Sequence, residues 1–421
     1  MSAFATLTMT ILFAASGAAF ANGTLWFDYA RKSEVSLSPP PVFSASAPSV
    51  SPSMHTGPDM RLPDRWTQAT LDLIVKYQLN PLRAARVLAY VHAAMDDAMA
   101  LSVRNGLPEN VAIVSLHRAA SATLGYLFPQ EPQDKLEAMG FADIVAWKAR
   151  AAIGGQQAQK AWLIGNQVTA AAIARARDDG ADTTWNPNHR PKAAPHVWRA
   201  TAPLWSYNPA EPMAGAWRTW NLRDGAETQP PQPVEFDSKD FWKEAEEVKA
   251  VANNLTVEQK RIAEEWNLDL GTVSPGGVWN KIALGIAEEE KLNLRDRLRL
   301  LATLDTAVAD AFIVCWKAKY TWWTVRPISV IQEKLDPKFV SHILTPAFPS
   351  YPSGHATISG AASTVIGRFV PSRKTEVDRM AEEAAVSRLY GGIHFTSDNE
   401  RGLDLGRSIG KLASERRLPK K

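Results

Sequence analysis

The chain has 421 residues, of which 45% are hydrophobic and 22% charged, a profile that excludes a disordered or collagen-like polypeptide and leaves room for a large core. Its formal net charge of +3 is too near balance to mark a nucleic-acid or anionic-membrane binder. Cys315 is the single cysteine, which rules out an intrachain disulfide and a cysteine-based zinc site.

The first charged side chain is Asp28, and the apolar run from Leu7 to Ala21 ends on Ala19-Phe20-Ala21, an A-x-A cleavage pattern. This fits a signal peptide over residues 1–21 and predicts export to the periplasm or beyond, although no Lys or Arg precedes the apolar run. No later stretch approaches the ~18–20 uncharged apolar residues of a membrane-spanning helix, so no integral membrane role is expected. Residues 22–62 are rich in Ser and Pro from Ser36 onward and read as an arm or linker, with the folded domain spanning 63–421. Asn22-Gly23-Thr24 and Asn254-Leu255-Thr256 are glycosylation sequons, meaningful only in a secreted eukaryotic chain.

Asn80-Pro81 places a cap and a first-turn proline at the start of a helix over Leu82–Leu101, apolar on nearly every side and therefore buried. His92 and Asp96 lie four apart on it and would share a face. They read as half of a carboxylate–histidine metal site or as a buried histidine satisfied by a neighbouring carboxylate. The second is favoured, because no Glu-x-x-His element completes the first. Further helices are predicted over Asn110–Leu127 and Phe141–Arg177, the latter broken near Gly154-Gly155. Gly180 to Pro233 is dominated by Pro, Trp and Asn, among them Trp198, Trp205, Trp217 and Trp220. A loop this long either lids a site or is a surface connection pinned by its tryptophans. Helices resume at Ser238, with a capping box at Thr256-x-x-Gln259 opening a helix through Leu268, then Trp279–Lys291 and Leu294–Lys319. No alternation of Val, Ile and Thr marks a sheet, and the class is all-α.

Three short stretches carry the chemistry. Lys319 ends the long helix and Arg326 follows seven positions later before Pro327; two helical turns would put both cations on one face, converging on an anion. Pro352-Ser353-Gly354-His355 opens an apolar helix, so its free backbone N–H groups form an oxyanion cradle with an imidazole beside it. Arg388, His394 and Asp398 follow, with His394 and Asp398 at i, i+4, where the carboxylate would hold one ring nitrogen and leave the other free. Each stretch alone has an ordinary explanation: surface charges, a capped helix, a structural His–Asp pair.

Together, Lys, six residues and Arg-Pro, then Pro-Ser-Gly-His, then Ser-Arg, five residues, His, three residues and Asp resemble the signature of the superfamily of vanadium-dependent haloperoxidases and type 2 phosphatidic acid phosphatases, which includes the bacterial class A acid phosphatases. Within the anion-site stretch 316–398, Trp316, three before Lys319, and Phe348, five before Ser353, are similar to the chloroperoxidase-type haloperoxidases, which carry Trp and Phe at these places. The resemblance covers roughly residues 63–415 and implies a pair of four-helix bundles with the pocket between helix ends. It further implies that His394 binds vanadate through its free nitrogen, oriented by Asp398. Lys319, Arg326, Ser353, Gly354 and Arg388 would hold the oxygens, with His355 as acid–base and Trp316 and Phe348 lining the halide side. The implied reactants are hydrogen peroxide and halide. The alternative is an acid phosphatase in which phosphate occupies the same pocket and His394 attacks a phosphomonoester; length, Trp316 and Phe348 favour the haloperoxidase. A non-catalytic helical scaffold keeping an anion pocket is the third possibility, and the intact signature speaks against it.

Overall fold

The computed structural model describes residues 25–30, 37, 39–40, 62–132, 134–139, 144 and 153–418. The expected signal peptide, residues 1–21, lies outside the described residues, as does most of the Ser/Pro-rich arm. No helix among the described residues is long and apolar enough to cross a membrane. The chain is all-α, as the absence of strand patterning predicts.

Among the described residues, α1 (Leu62–Lys76), α2 (Pro81–Arg104), α3 (Glu109–Leu127) and α4 (Gly155–Arg177) build most of the first bundle. Asn80 caps α2 by accepting hydrogen bonds from the Leu82 and Arg83 N–H groups at 3.1 and 3.0 Å, which fixes the helix start that the sequence marks. Trp66, Leu88, Val91, Met95, Ile113 and Leu116 fill its core. After a long connection come α5 (Lys239–Asn253), capped by Ser238, and α6 (Val257–Glu265), opened by the Thr256–Gln259 capping box. Helix α6 stops at Glu265, short of the Leu268 expected from sequence, and Leu268 itself has a positive φ of 45°. The second bundle consists of α7 (Ser274–Glu289), α8 (Leu294–Trp322), α10 (Gly354–Phe369), α11 (Lys374–Tyr390) and α12 (Thr396–Arg417), with the short α9 (Pro327–Lys334) beside it. Trp279, Leu304, Phe312, Trp316, Ile358 and Val365 fill this second core.

Helix α8 belongs to both cores, since its Leu294, Leu298 and Ala302 pack in the first and its Leu304, Val308, Phe312 and Trp316 in the second. Polar side chains pin the seam between them. His92 Nδ1 pairs with Asp305 Oδ2 on α8, Asn280 Nδ2 donates to Asp305 Oδ1 at 2.6 Å, and His92 Nε2 meets Thr67 Oγ1 at 2.8 Å. The carboxylate that satisfies His92 is therefore Asp305 and not Asp96. Asp96 instead accepts the Trp26 indole N–H at 2.6 Å and faces Arg299 at 3.3 Å. His92 and Asp96 thus have different partners, and among the described residues no group of three or more His, Cys, Asp or Glu is placed to hold a metal ion.

Residues 25–30, at one end of the expected arm, are part of the folded body. Trp26 and Phe27 are buried, and Asp97 accepts from the Trp26 N–H at 3.0 Å and the Tyr29 hydroxyl at 2.7 Å. Arg417, from the end of α12, lies 4.0 Å over the Trp26 ring, so this segment ties α2 to the last helix. A Ser/Pro composition taken over residues 22–62 hides the aromatic pair at its start.

The connection from 178 to 238 contains only two 3-10 turns, Pro187–His189 and Ala214–Ala216. It is anchored by its tryptophans and also reaches the anion site. Trp198 N–H donates to Trp323 O at 2.7 Å, and Arg175 stacks 3.9 Å over Trp220. Gly215 lies so close to α8 that a Cβ there would sit 2.5 Å from Lys317 Cα. Asp305→Ala removes the acceptor of both His92 and Asn280 in a fully buried seam, and we expect a loss of about 3 kcal/mol in urea unfolding.

Candidate active site: a buried oxyanion pocket

Helices α10 and α12 cross closely because Gly406 has no side chain; a Cβ there would fall 2.0 Å from the Thr357 carbonyl oxygen. The crossing brings the start of one helix beside the start of the other, and Ser353 N–H donates to Asp398 O at 2.9 Å. Ser353 is the N-cap of α10, with Gly354 and His355 in its first turn, where backbone N–H groups lack helical partners. His394 precedes α12, which begins at Thr396, and Asp398 lies in the first turn. The pair thus spans a loop–helix junction instead of one helical face.

Asp398 Oδ2 accepts from His394 Nδ1 at 2.9 Å, from Ser350 Oγ at 2.6 Å and from the Phe395 N–H at 3.2 Å. That network assigns the proton to Nδ1 and leaves the Nε2 lone pair pointing to Arg326, whose Nη1 donates to it at 3.1 Å. Ser350 was not singled out by any sequence pattern, since only the fold brings it to a carboxylate 48 residues away.

Lys319 and Arg326 meet here by a different route from the expected one. Helix α8 continues past Lys319 to Trp322 and is stopped by Trp323, which adopts a left-handed φ of 50° and returns its N–H to Lys319 O. Arg326 is off that helix, at the N-cap position of α9. The reversal, not a shared face, makes the cations converge. Arg326 donates from Nε to Phe348 O at 2.8 Å and from Nη1 to Ile393 O at 2.8 Å, while its buried Nη2 has no partner. Lys319 donates to the carbonyls of Pro349, Ser350 and Pro352 at 2.8, 2.7 and 2.6 Å, so its ammonium holds the loop that leads into the cradle. Arg388 donates to Ser387 Oγ at 2.9 Å and to Ala263 O at 3.1 Å. His355 Nε2 is buried without a partner.

The electrostatics follow from burial. Lys319, Arg326 and Arg388 are 0%, 0% and 1% exposed, and among the described residues none has a carboxylate within ion-pairing distance. Burial, with Arg326 adding its charge, pushes Lys319 down to about 7. Burial lowers Arg326 and Arg388 to about 9 each. His394 and His355 are driven well below the usual histidine range, first by burial and then by these same cations. Burial raises Asp398, against the opposing pull of the Ser350 hydrogen bond, Lys319 and Arg326. Two neutral imidazoles thus sit among three buried cations that lack a counter-ion.

Trp316 and Phe348 form one wall, with ring centroids 4.9 Å apart, and Lys319 Nζ lies 5.0 Å from the Phe348 ring. The long connection reaches this wall through Ala210, whose carbonyl accepts from Trp316 Nε1 at 3.1 Å and from the Tyr320 hydroxyl at 2.6 Å. Cys315 is buried behind it, with Sγ 3.7 Å from Pro352 O. The structure therefore brings together all ten residues expected at the site.

Fold and site define a helical-bundle protein whose candidate site sets two imidazoles among three buried cations. Residues 299–378 and 373–418 match the family model of the VCPO second helical-bundle domain. Vanadium chloroperoxidase of Curvularia inaequalis is 30% identical over 139 residues, 27% of this chain and 23% of that protein, so the chain spans about a quarter of that relative's length. A crystal structure of a bacterial vanadium-dependent iodoperoxidase superposes with a TM-score of 0.70 at 24% identity, covering 85% of this chain and 96% of the other. Another, of a bacterial vanadium-dependent chloroperoxidase in its holo form, gives a TM-score of 0.62 at 18% identity over 80% and 92% of the two chains. Over residues 299–418 the chain is thus similar to the second helical-bundle domain of the vanadium chloroperoxidases, and its overall fold is that of the bacterial vanadium-dependent haloperoxidases. These relatives do not favour the phosphatase alternative.

Lys319 with a pKa near 7 makes anion binding pH-dependent with a definite sign. Its positive charge is present below about 7 and fades as pH rises, so sulfate, which does not itself titrate in this range, should bind progressively more weakly from pH 6 to pH 9 in calorimetric titrations. Lys319→Met should bind weakly throughout and flatten the dependence that this lysine contributes.

Proposed function

We propose that the chain is a vanadium-dependent haloperoxidase, using hydrogen peroxide to oxidise halide at a vanadate held on His394. The observation that carries this reading is the set of three buried, carboxylate-free cations around His394, whose Nε2 lone pair meets Arg326 and no carboxylate. Burying unpaired charges costs several kcal/mol, which a bound anion offsets. Vanadate fits the donor set. The Arg326 Nη2 and His355 Nε2 atoms are orphaned and buried, and the first turn of α10 supplies N–H donors. When bound, vanadate supplies Lewis acidity at vanadium(V) that activates peroxide toward halide.

The remaining work falls to the protein. Asp398 fixes the Nδ1–H tautomer of His394, so that Nε2 serves as the ligand. Arg326, Arg388, Ser353 Oγ and the Gly354 N–H bind and orient the oxyanion by charge-assisted hydrogen bonds. Lys319 adds positive charge while bracing the Pro349–Pro352 loop with all three of its protons. His355, kept neutral by burial, takes a proton from hydrogen peroxide at Nε2. Trp316 and Phe348 exclude water from one side and leave an aromatic approach for halide.

Orthovanadate, peroxide and bromide or chloride should together consume monochlorodimedone, with no loss when vanadate is withheld. p-Nitrophenyl phosphate hydrolysis that vanadate inhibits, in the absence of halogenation, would sink the proposal. His394→Ala should abolish stable vanadate binding. His355→Ala should keep the anion and lose turnover by about 10²–10⁴-fold, as read by equilibrium dialysis beside the rate assay.

A further inference from the structure

Apart from the oxyanion pocket, the fold holds a cavity of about 480 Å³, within the range of small-molecule sites. Of the anion-site residues only Asp398 reaches its wall; Lys319, Arg326, Arg388, His355 and His394 do not. Six aromatic side chains line it: His196, Phe236, Phe241, Trp322, Tyr351 and Phe395. The Phe241 ring lies 4.9 Å from that of Phe236 and 5.3 Å from that of Phe395, at tilts of 56° and 49°. Phe236 in turn lies 6.0 Å from the His196 ring.

The charges in this wall have one sign. Glu235, Glu244 and Asp398 line it, and no Lys or Arg does. Arg401 is not part of the wall but lies beside it, its guanidinium donating to the Gln232 carbonyl and interacting with Tyr351. Glu244, from α5, is held in one orientation by Ser397, whose N–H donates to Oε1 at 3.1 Å and whose hydroxyl donates to Oε2 at 2.8 Å. A carboxylate accepts about four hydrogen bonds, so each oxygen of Glu244 keeps accepting capacity beyond these two. Burial raises its pKa, as befits a carboxylate short of positive partners. Its role as a cap for the first turn of α12 accounts for the two Ser397 contacts. It does not account for a cavity walled by six rings beside it. Aromatic faces present negative quadrupoles, and a carboxylate set among them matches an organic cation in both charge and shape.

We propose that this cavity binds an organic ammonium ion, its cationic head on Glu244 and its apolar body against Phe236, Phe241 and Phe395. The test is calorimetric titration of the full-length chain, without vanadate, with benzyltrimethylammonium and with 3-phenylpropionate as the anionic counterpart. No turnover is involved, so the result is independent of the haloperoxidase assignment. Saturable one-to-one binding of the cation is expected, with no binding of the anion. Glu244→Gln should weaken it about tenfold and Phe236→Leu several-fold. The proposal is overturned by absence of saturable binding, by equal affinity for the two probes, or by an unchanged affinity in Glu244→Gln. If far-UV circular dichroism shows that Glu244→Gln does not fold, Phe236→Leu decides alone, and unchanged affinity there overturns the proposal.

Discussion

The close crossing of α10 and α12 is the contact on which the site depends. With no side chain at Gly406, the backbone of α12 rests against the Thr357 carbonyl, and the two helix starts come side by side. The Ser353–Asp398 backbone hydrogen bond then locks Ser353-Gly354-His355 against the turn that carries His394. Any residue with a Cβ at Gly406 must push the helices apart, and the cradle would separate from the imidazole it faces. A small residue on a helix flank thus determines the geometry of groups more than a turn away.

That geometry gathers charge that the protein itself does not neutralise. The three cations find carbonyls, a hydroxyl and an imidazole, but no carboxylate partner among the described residues. Carbonyl dipoles ease the burial of an ammonium or guanidinium without cancelling its charge. Asp398, the carboxylate beside Lys319 and Arg326, is committed to His394, Ser350 and the Phe395 N–H. Such an unbalanced set of fixed donors would be preorganised for an anion, whose binding would need little rearrangement.

What was legible in the sequence were features set by neighbours in the chain. Asn80, Ser238 and the Thr256–Gln259 box mark helix starts because a cap acts within three residues. The spacing of Lys319, Arg326, Ser353, Arg388, His394 and Asp398 was readable as a pattern before any fold was known. What was not legible depends on the path of the backbone. A helical extrapolation from Lys319 to Arg326 could not foresee the left-handed turn at Trp323, which any residue type other than glycine disfavours. The pairing of His92 with Asp305 joins residues 213 apart, so no local spacing points to it. Ser350 and the Ala210 carbonyl carry no periodic signal at all, and Trp26 is lost in an average over a Ser/Pro-rich stretch.

Helix α8 has a mechanical consequence. Its 29 residues carry Asp305 at the seam between the bundles and Lys319 at the oxyanion pocket, about 21 Å apart along one rod at 1.5 Å per residue. Its first turns belong to one core and its later turns to the other. Neither bundle can melt without stripping partners from the helix that completes its neighbour. The two cores are thereby coupled into one cooperative unit, and an anion bound near Lys319 would shift the unfolding equilibrium of the distant α1–α4 bundle as well as its own.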